Sequence, residues 1–558
     1  MRARHAGARA ALLAVVALAF ADSSVVVLAL PALLHEFGTS ITAVAWVVTA
    51  YNLVLAVAAG ALFRFARRFP SRELFRIGLL LFLLSSIGCG ASGDLGLLIA
   101  FRSLQGLGGA LVLAGSLPLA AGLGASPGQG RRAWAQATIF GAAVGPALGG
   151  ALTQAFGWRA IFLVQAPVAA AAFVTMFGLA PAVEDEAEAG PTMAPRRRIA
   201  AGAGLALVSA ALVGLLFLAV VMLIDVWHLR PIAAAGVVSA VPVAALLTQI
   251  AVREVGRAGA AAGLVLLAGG LAAAGFLPAL STIWLAAVLA VAGAGLGLVL
   301  PALTEVLLGG GSQSTSCALV VAIRHAGLVL GLVVLTPLFA ADLSSAGNQA
   351  ELRGVATVLD APGSGGTKLK LAIDLVPALS HPPSDGVPRF APLVASRHSA
   401  QITAIGHRLD SVVEATISRG FRRSFIAAAL FALLAAPALW LAYARPARLR
   451  RERLAVALAV TAVAAFAGAE AALGAVSFGQ RPRLLEPCVP HPSPAGAGAA
   501  QDQLLKQLDN LACALHTTRE KLIVRVAGSS IAGRFASYLQ GGIEAAAGLL
   551  KYVLGHIP

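Results

Sequence analysis

The sequence predicts an all-α polytopic membrane protein with two bundles of six helices, a further C-terminal membrane helix and polar domains outside the membrane. Its 558 residues are 59% hydrophobic and only 12% charged, whereas a soluble domain carries about 25% charged residues. Thirteen apolar runs each approach the roughly 20 residues that a helix needs to cross the hydrocarbon core. The polar segment 181–198 separates the first six runs from the later ones.

The apolar runs give the order of the predicted helices. They occupy residues 11–34, 42–62, 74–92, 95–122, 133–156, 160–180, 199–226, 231–252, 259–279, 281–308, 315–341, 424–443 and 454–478. A cleaved signal peptide is an alternative for the first run, because a basic start precedes it and Ala19-Phe20-Ala21 resembles a cleavage site. The apolar run resumes after this site and is then long enough to span, so we interpret it as the first membrane helix.

The formal charge of +16 comes largely from arginines in the connections between helices. Their distribution indicates how the chain is oriented in the membrane and does not indicate a nucleic-acid site. With a cytoplasmic N-terminus, the short outer connections hold only Arg159 and Arg230. The inner connections hold the clusters Arg2, Arg4, Arg9, Arg64, Arg67, Arg68, Arg72, Arg76, Arg131, Arg132, Arg196, Arg197, Arg198, Arg253, Arg257, Arg445, Arg448, Arg450, Arg451 and Arg453. This positive-inside asymmetry predicts a multi-pass protein of the plasma (bacterial inner) membrane, with the C-terminal tail extracytoplasmic and no nucleic-acid partner.

Polar segments set the predicted domain limits. These are an N-terminal bundle at 1–180, a cytoplasmic linker at 181–198, helices seven to eleven at 199–341, an extracytoplasmic insertion at 342–423, helix twelve at 424–443, a basic inner loop with helix thirteen at 444–478, and an extracytoplasmic tail at 479–558. The Gly/Pro/Ser-rich middle of the insertion predicts a loop, and residues 396–420 fit an amphipathic helix. In the tail, two helix-like stretches lie near 500–524 and 530–555. Whether Cys488 and Cys513 form a disulfide is left open.

The fifth predicted helix contains the stretch TIFGAAVGPALGGAL at residues 138–152. Gly141, Gly145 and Gly149 recur every four residues, so they lie on one helix face and let a neighbouring backbone approach closely. Pro146 removes one backbone hydrogen bond and favours a bend. The spacing alone predicts a tight, bent helix–helix contact.

Five motifs of the N-terminal half resemble, in order and spacing, the multidrug/proton antiporter branch of the major facilitator superfamily. They are ADSSVVVLALP (21–31), WVVTAY (46–51), RSLQGLGGA (102–110), GAAVGPALGG (141–150) and GWRAIFLVQAP (157–167). The resemblance implies inverted three-helix repeats and a substrate site between the bundles that is reached by alternating access. It also makes Gly141, Gly145, Pro146, Gly149 and Gly150 a motif for conformational change. Beyond residue 199 the match is looser, although AIRHAGLVLGLVVL (322–335) resembles the eleventh core helix.

Two ionisable residues of the N-terminal half are the first candidates for a site. Asp22 lies mid-run on the first helix, where a carboxylate is costly unless it is paired, hydrated or protonated. It is therefore a candidate proton carrier or countercharge for a cationic substrate, with a packing aspartate bonded to a neighbouring hydroxyl as the alternative. Arg102 can bias the protonation of a nearby carboxylate, and the resemblance assigns it to proton coupling. Its alternative is interfacial snorkelling. Gln105 is a polar candidate for the cavity.

The second bundle contributes further ionisable residues, which are Asp225, His228, Glu305, Arg324 and His325. Glu305 and Arg324 lie on the adjacent tenth and eleventh helices with opposite charge, and they are expected to form a buried pair or to contact substrate or protons. Asp225 and His228 lie close enough to a helix end to be interfacial.

The loop between the second and third helices departs from the superfamily pattern. Where that pattern has an aspartate that latches the cytoplasmic side, this chain reads GALFRFARRFPSRELF, with Arg67 at the acidic position. Either another acid such as Glu73 serves as the latch, or the protein cycles poorly.

These patterns predict a secondary transporter that exports small amphipathic or cationic organic compounds in exchange for protons. No enzyme activity, metal site or cofactor is expected, and the proton gradient supplies the energy. The expected partners are the substrate, protons and the bilayer, with a protein or lipid partner for the outer domains. The alternatives are a non-transporting membrane scaffold and an exporter of a specific envelope lipid or metabolite.

Overall fold

The structure is a computed structural model. It describes residues 2–65, 68–124, 127–177, 194–252, 255–277, 281–308, 313–361, 371–376, 387, 390–395, 400–443, 457, 459–461, 463–465, 468, 484–491 and 499–527. All regular secondary structure among these residues is helical. Ten of the described helices are long and apolar enough to cross a membrane. The predicted all-α membrane fold class is confirmed.

Seven helices form the N-terminal half of the chain. They are α1 (Arg2–Phe37), α2 (Ile41–Phe65), α3 (Ser71–Ala91), α4 (Leu95–Gly122), α5 (Pro127–Phe156), α6 (Arg159–Leu163) and α7 (Gln165–Phe177). Local sequence sets several of the ends. Gly38 and Gly157 adopt positive φ values of 54° and 80° after α1 and α5, a conformation that suits glycine. The Asp94 side chain accepts a hydrogen bond from the Leu97 backbone N–H and thereby caps α4.

The later part of the chain begins with α8 (Pro195–Val221), which continues as one π-helical turn (Met222–Val226). It is followed by α9 (Pro231–Val238), α10 (Ala240–Ala251), α11 (Arg257–Ala274), α12 (Thr282–Leu308) and α13 (Gln313–Leu359). Next come α14 at residues 371–376, α15 (Phe390–Ala395), α16 (Ala400–Ala442), α17 (Ala499–Ala514) and α18 (Arg519–Ala527). Proline at the first position suits α8 and α9, because that position needs no backbone N–H donor.

The helices pack in two groups that also touch each other. In the first group α1 packs on α5 and α7, and α4 packs on α2 and α3. In the second group α12 packs on α8, α10 and α11, and Gly327 and Gly331 bring α13 against α8. Between the groups, α5 packs on α9 and α10, and α1 packs on α8. Residues at these contacts are mainly small or aliphatic, as expected for helices that associate inside lipid.

The eleventh and twelfth helices are longer than the sequence predicts. The helix expected at 315–341 runs on to Leu359, and the one expected at 424–443 begins at Ala400. Buried Ala346, Ala350 and Val355 follow helical spacing along the added part of α13. The polar residues between them ended the predicted apolar run at residue 341, but in the structure they occupy the opposite face of the same helix. The amphipathic helix predicted at 396–420 is present from Ala400 onward as the first half of α16.

The chain divides into two compact units. Unit 1 comprises Met1–Ala340 and Phe421–Val476, and unit 2 comprises Ala341–Gly420 and Ser477–Pro558. The predicted domain limits stay a prediction. Residues 181–193 of the linker, loop 444–453, most of helix thirteen and the stretch 530–555 lie outside the described residues, whereas residues 195–198 of the linker belong to α8.

Unit 2 contains a disulfide and a buried group of charges. Cys488 and Cys513 are bonded, with their Cα atoms 4.5 Å apart, which answers the question that the sequence left open. Arg519, only 1% exposed, donates to Glu520 Oε1 at 2.9 Å and to Asp360 Oδ1 at 2.5 Å. Burial alone would lower the pKa of Arg519, but the attraction of Asp360 and Glu520 outweighs it and raises the pKa above its ordinary value.

Candidate functional site

The site in unit 1 is built around an ion pair between α1 and α4. Arg102 Nη1 donates to Asp22 Oδ2 at 2.7 Å, and both side chains are 0% exposed. Asp22 lies near the middle of the 32-residue span Ala6–Phe37. A guanidinium and a carboxylate in hydrocarbon each require a partner. The two site residues that the sequence singled out first therefore satisfy each other, and Arg102 does not snorkel.

Two glutamines close the ion pair into a ring of polar side chains. Gln165, the first residue of α7, donates from Nε2 to Asp22 Oδ1 at 2.8 Å. Gln105 Oε1 accepts from Arg102 Nη1 at 2.6 Å, and Gln105 Nε2 donates to Gln165 Oε1 at 2.9 Å. A further donation from Gln105 Nε2 reaches Ser86 Oγ on α3 at 2.9 Å. The carboxylate thus accepts hydrogen bonds from two different donors, of which the guanidinium is charged and the amide is neutral.

The rest of the guanidinium is enclosed by α2 and by an aromatic side chain that precedes α7. Arg102 Nε donates to the Val47 carbonyl at 3.0 Å. Its Cζ lies 4.2 Å from the Tyr51 ring centroid and 5.5 Å from that of Phe162. Rings at this distance stabilise a desolvated cation. These contacts stabilise the Arg102 guanidinium in addition to its ion pair with Asp22.

A second polar chain begins at the next residue of α1 and crosses to the other group of helices. Ser23 Oγ donates to Asn52 Oδ1 at 3.1 Å, and His325 Nδ1 lies 2.6 Å from the same oxygen. Asn52 is 0% exposed and His325 is 2% exposed. Since α1 and α2 belong to the first group and α13 to the second, this chain is a polar contact between the two bundles.

The α5 glycines face α1 at the height of the ion pair. A Cβ atom at Gly141 would overlap with the Ala17 carbonyl, and one at Gly145 would overlap with Ser24 Oγ. At Gly149 an added Cβ would lie 2.6 Å from the Val25 carbonyl oxygen. The predicted close contact is therefore present, and its partner is the part of α1 that carries Asp22.

The two remaining residues of the α5 motif, Gly150 and Pro146, have different surroundings. Gly150 lies on another face, where a Cβ would overlap with Ala235 on α9. Pro146 lies inside α5, which continues through it. The motif therefore touches both helix groups.

The structure does not bring Glu305 and Arg324 together, so the buried pair is a wrong prediction. Glu305 is exposed near the C-terminal end of α12, and among the described residues no carboxylate lies within 4.0 Å of the Arg324 nitrogens. Arg324 instead packs its guanidinium 4.9 Å from the Phe20 ring. Adjacency of α12 and α13 in sequence did not imply that these two faces meet.

The remaining ionisable candidates lie at helix ends. Asp225 lies 3.6 Å from His35, which links the π-helical turn after α8 with the end of α1. In the loop between α2 and α3, Arg67 lies outside the described residues. Glu73 pairs at 3.1 Å with Arg76 of its own helix.

Sequence reasoning missed Gln165 and Asn52 as site residues, and it named His325 only as an ionisable residue of the second bundle, without a role. Gln165 stands inside the quoted motif GWRAIFLVQAP, where it is the polar residue of an otherwise apolar end. That polarity was the available signal for it. Asn52 follows the motif WVVTAY directly, and an amide in a membrane helix needs a partner.

A family model described as Major Facilitator Superfamily matches residues 12–333. The chain belongs to the major facilitator superfamily. It is a multi-pass membrane protein of a transporter family and not an enzyme. The matched residues include the whole polar ring and His325, so both polar clusters lie in the part of the chain that defines the family.

Curated superfamily members similar to this chain include three named for resistance or export. The tetracenomycin C resistance and export protein of Streptomyces glaucescens is 35% identical over 173 residues, 30% of this chain and 32% of that protein. The methylenomycin A resistance protein of Bacillus subtilis is 36% identical over 162 residues, 28% and 34% of the two chains. The multidrug resistance protein Stp of Mycobacterium tuberculosis is 35% identical over 154 residues, which are 27% of this chain and 29% of that protein. The chain spans about a third of the length of these relatives.

Solved structures support the superfamily fold. An inward-facing, unoccupied bacterial homologue of the human lysosomal transporter Spinster has a TM-score of 0.54 at 15% identity, covering 79% of this chain and 97% of that one. The occupied form gives 0.56 at 16% identity, covering 78% and 96%. At such identities the likeness concerns the fold alone.

Proposed function

We propose that this superfamily member exports small amphipathic or cationic organic compounds in exchange for protons, and that Asp22 carries the proton. The observation that supports this most is the fully buried pair of Asp22 and Arg102 at 2.7 Å. Breaking a buried pair by neutralising one partner costs about 3–5 kcal/mol, because the other charge stays buried. Protonation of Asp22 would therefore favour a rearrangement of α1 against α4.

The substrate class is proposed from the relatives, which are named for export of or resistance to antibiotics and for multidrug resistance. A buried carboxylate that alternates between proton and ion pair can also serve as countercharge for an organic cation. The site would lie between the two bundles, and rocking of the bundles would expose it to each side in turn. The proton gradient would supply the energy.

The orientation is also a proposal. The arginine-rich connections favour a cytoplasmic N-terminus. The disulfide Cys488–Cys513 favours an oxidising compartment for the tail, since such bonds rarely persist in the cytosol. Both arguments favour a location of unit 2 on the outer side of the bacterial inner membrane, where a protein or lipid partner would meet it.

Transport in inverted membrane vesicles tests the proposal. Vesicles are energised to acidify their lumen, and a pH-sensitive dye reports proton release when tetraphenylphosphonium or a neutral amphipathic compound is added. We expect the wild type to release protons on substrate addition and Asp22→Asn to show no release. Asp225→Asn is the matched control, because Asp225 is also a buried carboxylate but lies outside the polar ring.

Two results would contradict proton antiport through Asp22. One is equal proton release by the wild type and Asp22→Asn across a broad panel of compounds. The other is absence of release by the wild type itself, which would favour the scaffold alternative. In that case deletion of residues 479–558 should abolish the cellular phenotype.

A further inference from the structure

His325 joins the bundles through a hydrogen bond whose direction its neighbours fix. Asn52 Nδ2 donates to the Val48 carbonyl at 2.7 Å, which orients the amide so that its oxygen faces His325. Ser23 Oγ donates to the same Asn52 oxygen. His325 Nδ1, 2.6 Å from this acceptor, must therefore carry a hydrogen and donate.

The other ring nitrogen of His325 is left as a buried acceptor. In a neutral imidazole with the hydrogen on Nδ1, Nε2 bears the lone pair. This atom is buried and has no hydrogen-bond partner among the described residues. The Phe20 and Tyr51 rings each lie 6.4 Å from the imidazole centroid. Nε2 can therefore take up a proton, but in this arrangement the new N–H would have no acceptor.

The charged groups around His325 make an imidazolium unfavourable while the contact is closed. On its own helix the neighbouring residue is the cation Arg324. On α2, the Tyr51 ring that faces His325 is also packed against the Arg102 guanidinium. On α1, the Asp22 carboxylate next to Ser23 is already occupied by Arg102. No free anion therefore compensates a charge on His325 within the described surroundings, and a buried unpaired charge is costly.

We propose that His325 is a second proton-binding residue of the transport cycle, and that proton binding at its Nε2 releases α13 from α1 and α2. The neutral imidazole holds the bundles together through Asn52. The imidazolium favours an arrangement in which Nε2–H reaches water or another acceptor, so the contact opens. This deepens the proton-coupled cycle proposed above and rests on it for its physiological role. The pH-dependent contact itself needs neither substrate nor a gradient.

The test measures the distance between the bundles as a function of pH. Spin labels are attached to cysteines introduced at exposed Arg64 on α2 and Glu305 on α12. The native thiols do not interfere, since Cys89 and Cys317 are buried. In nanodiscs between pH 5 and pH 9, we expect the wild-type distance distribution to change in one transition. His325→Asn, which keeps a donor at the Nδ1 position but cannot titrate, should keep the high-pH distribution throughout.

Two further samples keep the test decisive. Labels at Leu53 and Leu84, both exposed within the first bundle, should give a constant distance in every variant and report that the bundle is folded. Asn52→Leu removes the acceptor and should give the low-pH distribution even at pH 9.

Three results would overturn the proposal: a wild-type distance that does not depend on pH, an unchanged transition in His325→Asn, or a high-pH distribution in Asn52→Leu at pH 9. Absence of proton antiport in vesicles would overturn the proposed function and leave these distance measurements standing.

Discussion

At the scale of single residues, Arg102 determines how the polar ring works. Its guanidinium reaches a carboxylate, an amide oxygen, a backbone carbonyl and two aromatic rings. A lysine could not reproduce this, because an ammonium group lacks the planar arrangement of donors. Since most of these contacts do not involve Asp22, they would hold the guanidinium in place during the proposed protonation of the carboxylate.

Gln165 provides the sharpest single-residue prediction about the ring. Gln165→Leu has similar volume but removes the donor to Asp22 Oδ1. A hydrogen bond to a charged group contributes about 1.5–3 kcal/mol. We therefore expect Gln165→Leu to lower the rate of substrate-dependent proton release in vesicles throughout its pH profile, because the carboxylate loses one of its two donors. Gln249→Leu, a change of the same type on α10 outside the ring, should leave the profile unchanged, and an unchanged profile in Gln165→Leu would contradict the assigned role.

The sequence was sufficient to name Asp22 and Arg102, because a charge inside an apolar run is informative by itself. It did not show that Arg102 Nη1 meets Asp22, since the two residues are 80 positions apart and come from different helices. Gln165 and Asn52 are neutral, so their cost in an apolar run is smaller and their signal weaker. The supposed Glu305–Arg324 pair failed because opposite charge on neighbouring helices does not determine which faces meet.

At the scale of elements, the contact between α1 and α5 sets the position of the ion pair. The glycine face of α5 lets the α1 backbone approach where Ala17, Ser24 and Val25 lie. Ser24 Oγ, which occupies the space beside Gly145, donates to the Ala21 carbonyl at 2.8 Å. The spacing of the glycines predicted a close contact, but only the structure identified α1 as the partner.

Gly145→Leu tests this contact. A side chain there must displace Ser24 and with it the α1 segment that carries Asp22, so we expect normal membrane insertion but loss of substrate-dependent proton release. Gly60→Leu on α2 is the matched control, since a Cβ there meets nothing within 4 Å. Equal transport by both variants would leave close packing as the sole role of the motif.

At the scale of the whole molecule, the chain combines a membrane unit that contains the residues matched by the superfamily model with a second unit that is stabilised by a disulfide and buried charges. Unit 2 has a disulfide and buried charges, in which His491 lies 3.0 Å from Asp509 and 3.4 Å from Glu520. Its sequence offered little guidance, because composition alone does not show which polar residues are buried together. The sequence predicted a helical stretch near 500–524, which the structure divides into α17 and α18. It left open whether the two cysteines form a disulfide.

Arg519→Leu tests how unit 2 is held together. The change leaves Glu520, which is 0% exposed, with less compensation, and removing one partner of a buried ion pair costs about 3–5 kcal/mol. We expect hydrogen exchange of residues 499–527 in the full-length protein to become faster by a corresponding factor. Because the pKa of Arg519 is raised, its stabilisation is complete below the ordinary pKa of an arginine and is lost only as the pH rises through the raised value. Exposed Arg525→Leu is the control, and equal protection in both variants would contradict the importance of the buried pair.

The three consecutive residues Asp22, Ser23 and Ser24 contact different neighbouring helices. Asp22 binds α4 and α7, Ser23 binds α2, and Ser24 fills the space beside α5. Successive residues of a helix point about 100° apart, so no single rotation of α1 improves one of these contacts without disturbing the other two. Contacts on three sides of α1 therefore fix its rotation and its position along the helix axis. We therefore expect an insertion or a deletion within these three residues to disrupt the fold of the bundle, independently of which compound is transported.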